Sequence, residues 1–461
     1  MTHFDLIIIG SGSGNSVVTD EMADWHIALV EESTFGGTCL NVGCIPTKMY
    51  VYAADVASTV RHAARYGVDA HVEGVRWRDI RDRVFGRIDP ISAAGRVHRD
   101  VSARTTLYES HAEFTSPGSI RLGDGRELSA DRIVVATGSR PVVPEMVSAT
   151  GVPFHTSDTV MRLERLPQRL VIIGGGYVAA EFAHIFSALG TQVTLLARGP
   201  RLLRHLDGEI SRRFTGIAGQ IWDVRLNVQI ASLTGTDEIR IALDDGSVAD
   251  CDTLLVAAGR VPNTDRLALD VAGVDVDEGG LIVVDDFQGT SVDGIWALGD
   301  ATSARQLKHV ANQDARIVAH NLTNPGAPIR SNHDHVPAAV FTEPQLASVG
   351  LTEEEARAAG LDYVAAVQPY RATAYGWAME DTTSVCKLVA ERGTGRLLGA
   401  HLMGPHASIL IQPLIQAMTF GQRVGELARE QYWIHPALTE VVENALLKLD
   451  LAPSGLAASP S

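Results

Sequence analysis

Cysteine is scarce in this chain. It has four in 461 residues: Cys39 and Cys44 close together, Cys251 and Cys386 isolated. So few exclude a fold stapled by disulfides, and a close pair in a reducing compartment serves catalysis or metal binding rather than cross-linking. Basic charge is also short, with 39 Lys and Arg against 55 Asp and Glu and a formal net charge of −16. That balance repels nucleic-acid phosphates and anionic lipid, and no run of Lys and Arg offsets it locally. Long apolar stretches are missing too. The longest, such as Leu6–Ile9 and Leu170–Ile173, are strand-length and far below the roughly 20 residues that cross a bilayer. The opening Met1-Thr2-His3 carries no basic region, apolar core or cleavage site, so the expected location is the cytoplasm. What is present is an ordinary globular composition, 45% hydrophobic and 20% charged, in a length that needs about three domains.

Phe4–Ile9 reads as a buried parallel strand that runs into Gly10-Ser11-Gly12-Ser13-Gly14-Asn15 and then a helical stretch. In such a turn Gly10 makes the bend, Gly12 admits a pyrophosphate to the backbone, and the helix start supplies free amides. Asn15 departs from the pattern, because Gly or Ala usually stands there, and is expected among the cofactor contacts with the rest of the turn. A second strand, Ile27–Val30, ends in Glu31, placed to bind an adenosine ribose. The pattern recurs after Leu170–Ile173, where Gly174, Gly176 and Ala179 fill all three turn positions. Its second strand, Val193–Leu196, leads to Ala197-Arg198, with Arg201 and Arg204 beyond and no carboxylate at the ribose position. Guanidinium groups there bind a 2′-phosphate, which predicts NADPH over NADH. Val134–Gly138 and Leu254–Gly259 read as strands closing each nucleotide unit, and Gly294–Asp300 as another whose Asp300 is placed to receive a ribityl hydroxyl.

The segment Gly36–Lys48 puts Cys39 and Cys44 at the start of a helix, within reach of each other. Backbone dipoles there stabilise a thiolate, and a nearby cation lowers its pKa further. Zinc would need four ligands, and neither cysteine has a Cys or His neighbour at finger-like spacing.

The run Gly37-Thr38-Cys39-Leu40-Asn41-Val42-Gly43-Cys44-Ile45-Pro46 resembles the redox signature of the class I pyridine nucleotide-disulfide oxidoreductases, the glutathione reductase and lipoamide dehydrogenase family. The likeness extends through both glycine turns, Gly299-Asp300 and Trp433–Glu440. It implies that FAD and NADPH are the cofactors, with Thr38, Gly138 and Gly259 among the cofactor contacts. Hydride would pass from nicotinamide to flavin, and the flavin would reduce the Cys39–Cys44 disulfide. Cys44 would hold the charge-transfer thiolate and Cys39 would attack a substrate disulfide. His435, oriented by Glu440, would protonate the leaving thiol, acting on the cysteines of the other subunit of a homodimer. Lys48 and Glu181 would pair beside the flavin, and Tyr177 would gate the nicotinamide pocket. Lys308–Ala311 would open a helix aimed at the flavin, with no catalytic step assigned to His309.

The implied fold is α/β, with two Rossmann-like dinucleotide-binding domains and a C-terminal α+β dimerisation domain. The FAD domain would be discontinuous, 1–145 and 281–335; the NADPH domain would span 146–280 and the dimerisation domain 336–451. That last part should contain a strand at Val385–Val389 and a helix at Leu410–Phe420, and 452–461 should be a flexible tail. No cysteine pair stands near the C-terminus, unlike in large thioredoxin reductases and mercuric reductases. The helix after the first turn should carry Asp20 and Glu21, which disfavour an anionic disulfide. Ala374–Asp381 and Gln431–His435 are similar to the branch of the family that reduces mycothiol disulfide, an uncharged small molecule. The alternatives are a glutathione or lipoamide type of reductase, or a FAD-binding redox sensor that does not turn over.

Overall fold

A computed structural model describes residues 1–451; the expected flexible tail, 452–461, lies outside the described residues. Strand β1 (Leu6–Ile9) is buried along its whole length and pairs in parallel with β2 (Ile27–Glu31), Leu6 facing Ile27 and Ile9 facing Val30. Such continuous apolar runs suit strands covered on both faces. The redox segment follows as a short helix α1 (Gly37–Asn41), then α2 (Cys44–His62) and α3 (Trp77–Asp100). Strands β3 (Thr105–Glu109) and β4 (Ile133–Val135) join the same sheet.

A second parallel sheet holds β5 (Arg169–Ile173), β6 (Gln192–Ala197), β7 (Asp223–Leu226) and β8 (Thr253–Val256), in the order β7-β6-β5-β8. Helix α4 (Tyr177–Ala188) links its first two strands, and α5 (Gly208–Ile221) precedes β7. The chain then returns to the first sheet: β9 (Ile295–Ala297) pairs with β4, completing the order β9-β4-β1-β2-β3, and α6 (Lys308–Thr323) covers it. A third sheet is antiparallel. Its strands β10 (Ala338–Val340), β11 (Leu346–Gly350), β12 (Tyr363–Pro369), β13 (Val385–Glu391) and β14 (Leu397–Met403) lie in the order β10-β11-β14-β13-β12. Helices α7 (Gln412–Phe420) and α8 (Thr439–Leu447) pack on it.

Three details differ from the sequence reading. No α-helix follows the first glycine turn; two 3-10 segments, Gly14–Val17 and Asp20–Met22, stand in its place. The cause is composition. Residues 10–26 are rich in Gly, Ser, Asn and Val-Val-Thr, poor helix formers, whereas Tyr177–Ala188 after the second turn is rich in Ala and long side chains. The helix expected at Leu410–Phe420 is broken at Ile411, because α7 begins afresh with Pro413 in its first turn, the place where a missing N–H costs nothing. The strand expected at Val385–Val389 runs on to Glu391.

The third sheet is tied to the second unit by a buried ion cluster. Lys387 of β13 donates to Asp207, the N-cap of α5, at 2.9 Å and lies 2.7 Å from Glu353. Lys387 is 3% exposed and Asp207 not at all. Removing one partner leaves the other buried and uncompensated, so Lys387→Met should cost about 3–5 kcal/mol. A lowered midpoint of denaturant unfolding would report it, and Lys387→Met with Asp207→Asn together should recover part of the loss.

Candidate functional site

The first turn is built by close approach. A Cβ on Gly10 would stand 2.3 Å from the Ala136 carbonyl oxygen, and one on Gly174 would stand 2.2 Å from that of Ala257, so both turns admit only glycine. Gly14, not Asn15, provides the tight contact with the sheet: a Cβ there would meet Ile8 and Ala136 at 2.9 and 2.8 Å. This corrects the reading of Asn15 as a cofactor contact. Its side chain and carbonyl instead accept from the Arg99 guanidinium of α3, at 2.7 and 3.0 Å, and it lies outside the cavity described next.

A cavity of about 700 Å³ runs along this turn. Glu31 lines one part, its carboxylate accepting from the Ser11 N–H and hydroxyl and from Ser33. Gly10, Gly12, Thr38, Gly138 and Asp300 line it further along, Asp300 accepting 2.6 Å from the Ser139 hydroxyl. The cradle suits the FAD of the sequence reading. It has bare backbone for a diphosphate at Gly12, whose nearest neighbour is Gly37, and carboxylates for sugar hydroxyls. The Thr137 hydroxyl on its wall is buried without a partner. Gly12 and Gly37 face each other so closely that a Cβ on Gly37 would be 2.7 Å from Gly12 Cα. This contact brings the glycine turn against the redox helix.

Cys39 and Cys44 border that cavity, Cys44 as the first residue of α2, where helix dipoles favour a thiolate. The Cys44 thiol is lowered to about 7, first by the hydrogen bond it accepts from Cys39 and then, against the cost of its partly enclosed position, by the charge of Lys48. The Cys39 thiol is pushed up, first by that same hydrogen bond, then by burial and the charge of Cys44; Lys308 opposes the rise. One proton held between two sulfurs leaves the charge on Cys44.

Lys48 donates 2.5 Å to Glu181, whose other oxygen accepts from the Phe341 N–H at 3.0 Å while the Phe341 ring lies under the ammonium at 4.5 Å. The pair holds because α2 lies on α4. Tyr50, Trp77 and Phe186 stack between α2, α3 and α4 at 5.1 and 5.5 Å, and Asp55 meets His184 at 2.9 Å. Tyr177, at the start of α4, lines the same cavity.

At the second turn a Cβ on Gly176 would meet open space, and Ala179 is buried. Arg204 folds over Gly199, and the Arg201 Nε is buried without a partner. Among the described residues neither these two nor Arg198 has a carboxylate at ion-pair distance. Unpaired guanidinium groups beside bare turn backbone fit a 2′-phosphorylated nucleotide. Gly259 stands at φ +130 and accepts from the Val142 N–H, outside the cavity.

A second cavity, about 560 Å³, is bounded by Cys44, Ile45, Lys48, Met49, Tyr52, Arg83 and Arg87. Cys44 and Lys48 therefore border both spaces. Asp20 and Glu21 border neither. Glu21 accepts from the Thr323 hydroxyl and Asp20 lies 3.6 Å from Arg104. The expectation that they sit on a substrate-facing helix is overturned, because that helix does not form. Besides Lys48, the cations lining this second cavity are Arg83 and Arg87, which the sequence reading missed; α3 residues carry no motif.

His435 and Glu440 come together at 2.8 Å, but outside both cavities. His435 is 70% exposed, and one oxygen of Glu440 is buried without a partner. Just before it in the chain, Tyr432 and Ile434 are apolar and exposed. A single chain thus carries the dithiol and the His–Glu pair in separate places. His309 donates to or accepts at no cysteine; its ring meets the Pro337 carbonyl at 2.8 Å.

Comparison with known proteins agrees with this arrangement. The pattern described as pyridine nucleotide-disulphide oxidoreductase matches residues 4–315, and that of the same family's dimerisation domain matches 336–446. The chain is 54% identical to mycothione reductase of Mycobacterium tuberculosis, over 97% of this chain and 100% of that protein. It is 34% identical to a glutathione reductase of Burkholderia cepacia, over 95% and 97% of the two. Among solved structures, the HOCl-induced flavoprotein disulfide reductase RclA of Escherichia coli superposes with a TM-score of 0.84 and 30% identity, covering 96% of this chain and 99% of that one.

The thiolate is the nucleophile, and a lowered thiol ionises earlier as pH rises. In the reduced protein, alkylation of Cys44 by iodoacetamide should therefore climb as pH passes about 7. Lys48→Met should move that midpoint upward, and peptide mapping after a brief pulse should find the label on Cys44 before Cys39.

Proposed function

The chain belongs to the pyridine nucleotide-disulphide oxidoreductases, and we propose that within this family it is an NADPH-dependent flavoprotein that reduces mycothiol disulfide through Cys39 and Cys44. The observation that carries the substrate is the 54% identity, across the full length, to a protein named mycothione reductase. The dimerisation domain at 336–446 makes the working unit a homodimer.

When bound, FAD supplies two-electron transfer from the nicotinamide to the Cys39–Cys44 disulfide. Glu31 and Asp300 hold its sugar hydroxyls, and Gly10, Gly12, Thr38 and Gly138 shape the space for its diphosphate and chain. Gly174, Gly176, Ala179 and Gly259 shape the NADPH site, Tyr177 covers the nicotinamide pocket, and Arg198 and Arg204 select the 2′-phosphate. Lys48 keeps a positive charge beside Cys44, and Glu181 fixes that ammonium in place. Cys39 attacks the substrate disulfide, and the second substrate thiol leaves when Cys44 displaces it from Cys39. His435, held by Glu440, gives the proton that the first leaving thiolate needs. It comes from the partner subunit: its distance from both cavities and the apolar exposure just before it in the chain support this reading. The division into 1–145 with 281–335, 146–280 and 336–451 follows the same logic, each part centred on one sheet. A dithiol that must be regenerated at each turnover belongs in a reducing compartment, which supports the cytoplasm; among the described residues no helix is long and apolar enough to cross a membrane.

One observation favours a second reading. Arg83 and Arg87, in one cavity with Cys44, offer charge to a carboxylate, as glutathione disulfide would present. Parallel assays of NADPH oxidation with mycothiol disulfide, glutathione disulfide and lipoamide decide between them. The expected result is turnover with mycothiol disulfide at a kcat/KM at least tenfold above the others, and loss of the NADPH preference in Arg198→Ala/Arg204→Ala. Faster glutathione disulfide reduction would overturn the substrate and leave the dithiol chemistry. The cross-subunit role is tested by mixing. Cys44→Ser and His435→Gln should each be inactive alone, yet co-expression should restore about a quarter of wild-type activity, because half of randomly paired dimers hold one complete site of two. No recovery would place the histidine in its own chain's site.

A further inference from the structure

The two sulfurs differ in what stands beside them. Cys44 has Lys48, four residues along its own helix and fixed by Glu181. Cys39 has nothing comparable on α1, whose five residues are Gly37-Thr38-Cys39-Leu40-Asn41. A second lysine arrives from far along the chain. Lys308 is the first residue of α6, lines the same cavity as Cys39, and donates 2.8 Å to the Ser13 hydroxyl. Ser13 follows Gly12, and Gly12 touches Gly37, two residues before Cys39. The Gly12–Gly37 contact therefore holds the tethered ammonium and the sulfur in one pocket. No carboxylate pairs with Lys308 among the described residues.

We propose that Lys308, tethered to Ser13, is a second site lysine that stands to Cys39 as Lys48 stands to Cys44. It supplies the positive charge beside which the attacking sulfur carries its negative charge. This rests on the reading above in which Cys39 is the attacking thiol. In that step the Cys39 thiolate forms a bond to one substrate sulfur, the substrate S–S bond breaks, and the other half leaves with the electron pair and takes a proton. Cys44 thiolate then attacks Cys39, the second half leaves as thiolate, and the Cys39–Cys44 disulfide returns. Lys308 exchanges no proton in either event. It favours the state in which the charge has moved from Cys44 to Cys39, which the shared hydrogen bond opposes. The direction of its effect on the Cys39 thiol, downward, agrees. The other charged or titratable groups acting on the two sulfurs are Cys44, Lys48 and Glu181, joined in the FAD-loaded dimer of the reading above by the diphosphate at Gly12, which faces Lys308 from the glycine turn, and by His435 of the second copy.

The test isolates Cys39. In FAD-loaded Cys44→Ser protein, the pH profile of Cys39 alkylation by iodoacetamide is measured with Lys308 intact and as Lys308→Met and Lys308→Arg. Lys308→Met should slow alkylation at pH 7 about tenfold, the effect of one unit in thiol pKa, and Lys308→Arg should restore most of the rate. In otherwise wild-type enzyme, Lys308→Met should slow reoxidation by the disulfide more than it slows reduction by NADPH. Superimposable alkylation profiles at equal flavin content overturn the proposal, as does a slowed reduction step with unmoved thiol titration. Should Lys308→Met lose its flavin, Ser13→Ala, which cuts the tether and keeps the charge, takes its place. A slowed Cys39 supports the proposal and an unchanged one overturns it. Iodoacetamide reads the thiol without any disulfide, so failure to reduce mycothiol disulfide would refute the substrate and leave this result standing.

Discussion

The contact of α2 with α4 is the constraint on which the rest of the site depends. It joins a helix of the first nucleotide unit, carrying Cys44 and Lys48, to a helix of the second, carrying Tyr177 and Glu181. Tyr50, Trp77 and Phe186 fill the space between them, and aromatic packing of this kind adds about 0.5–1.5 kcal/mol per pair beyond area burial. The ion pair alone is weak as a stabiliser, since Lys48 is 34% exposed. Its value is directional: the aromatic stack fixes the helices, the Phe341 backbone fixes Glu181, and the ammonium has one place left to stand.

Much of this was legible in the sequence, and the reasons are local. Gly10 and Gly174 announce their turns because a Cβ at either would collide with backbone, and Cys39 and Cys44 announce chemistry because cysteine is otherwise rare. Lys48 with Glu181, and His435 with Glu440, were expected as pairs from family resemblance, and both lie within ion-pair distance. The misreadings came where position in a pattern was taken for contact. Asn15 occupies the usual third place of the turn, yet the neighbouring Gly14 makes the close approach, because the segment coils as a 3-10 turn and shifts the register by one residue. Asp20 and Glu21 were assigned a face of a helix that poor helix formers do not sustain.

Other features had no local signal. Arg83 and Arg87 come to share a cavity with Cys44 only through the packing of α3, and Lys308 meets Ser13 across nearly three hundred residues. Lys387, buried in a strand that reads as apolar, is intelligible only once Asp207 and Glu353 are seen around it. Long-range charge placement is the part of a site that periodicity and spacing do not encode.

Cys251 and Cys386 bear on how the protein withstands its own chemistry. Both are wholly buried, and burial pushes the first up to about 11 and the second well above the ordinary thiol value. Peroxides and hypohalous acids attack thiolates, and the damage beyond sulfenic acid is irreversible. With the other two sulfurs walled off and protonated, Cys39 and Cys44 are left to meet the oxidant, and on the proposed function a sulfenic acid on either would condense with its neighbour into the disulfide that the reaction cycle reduces. On that reading the scarcity of cysteine amounts to oxidative tolerance.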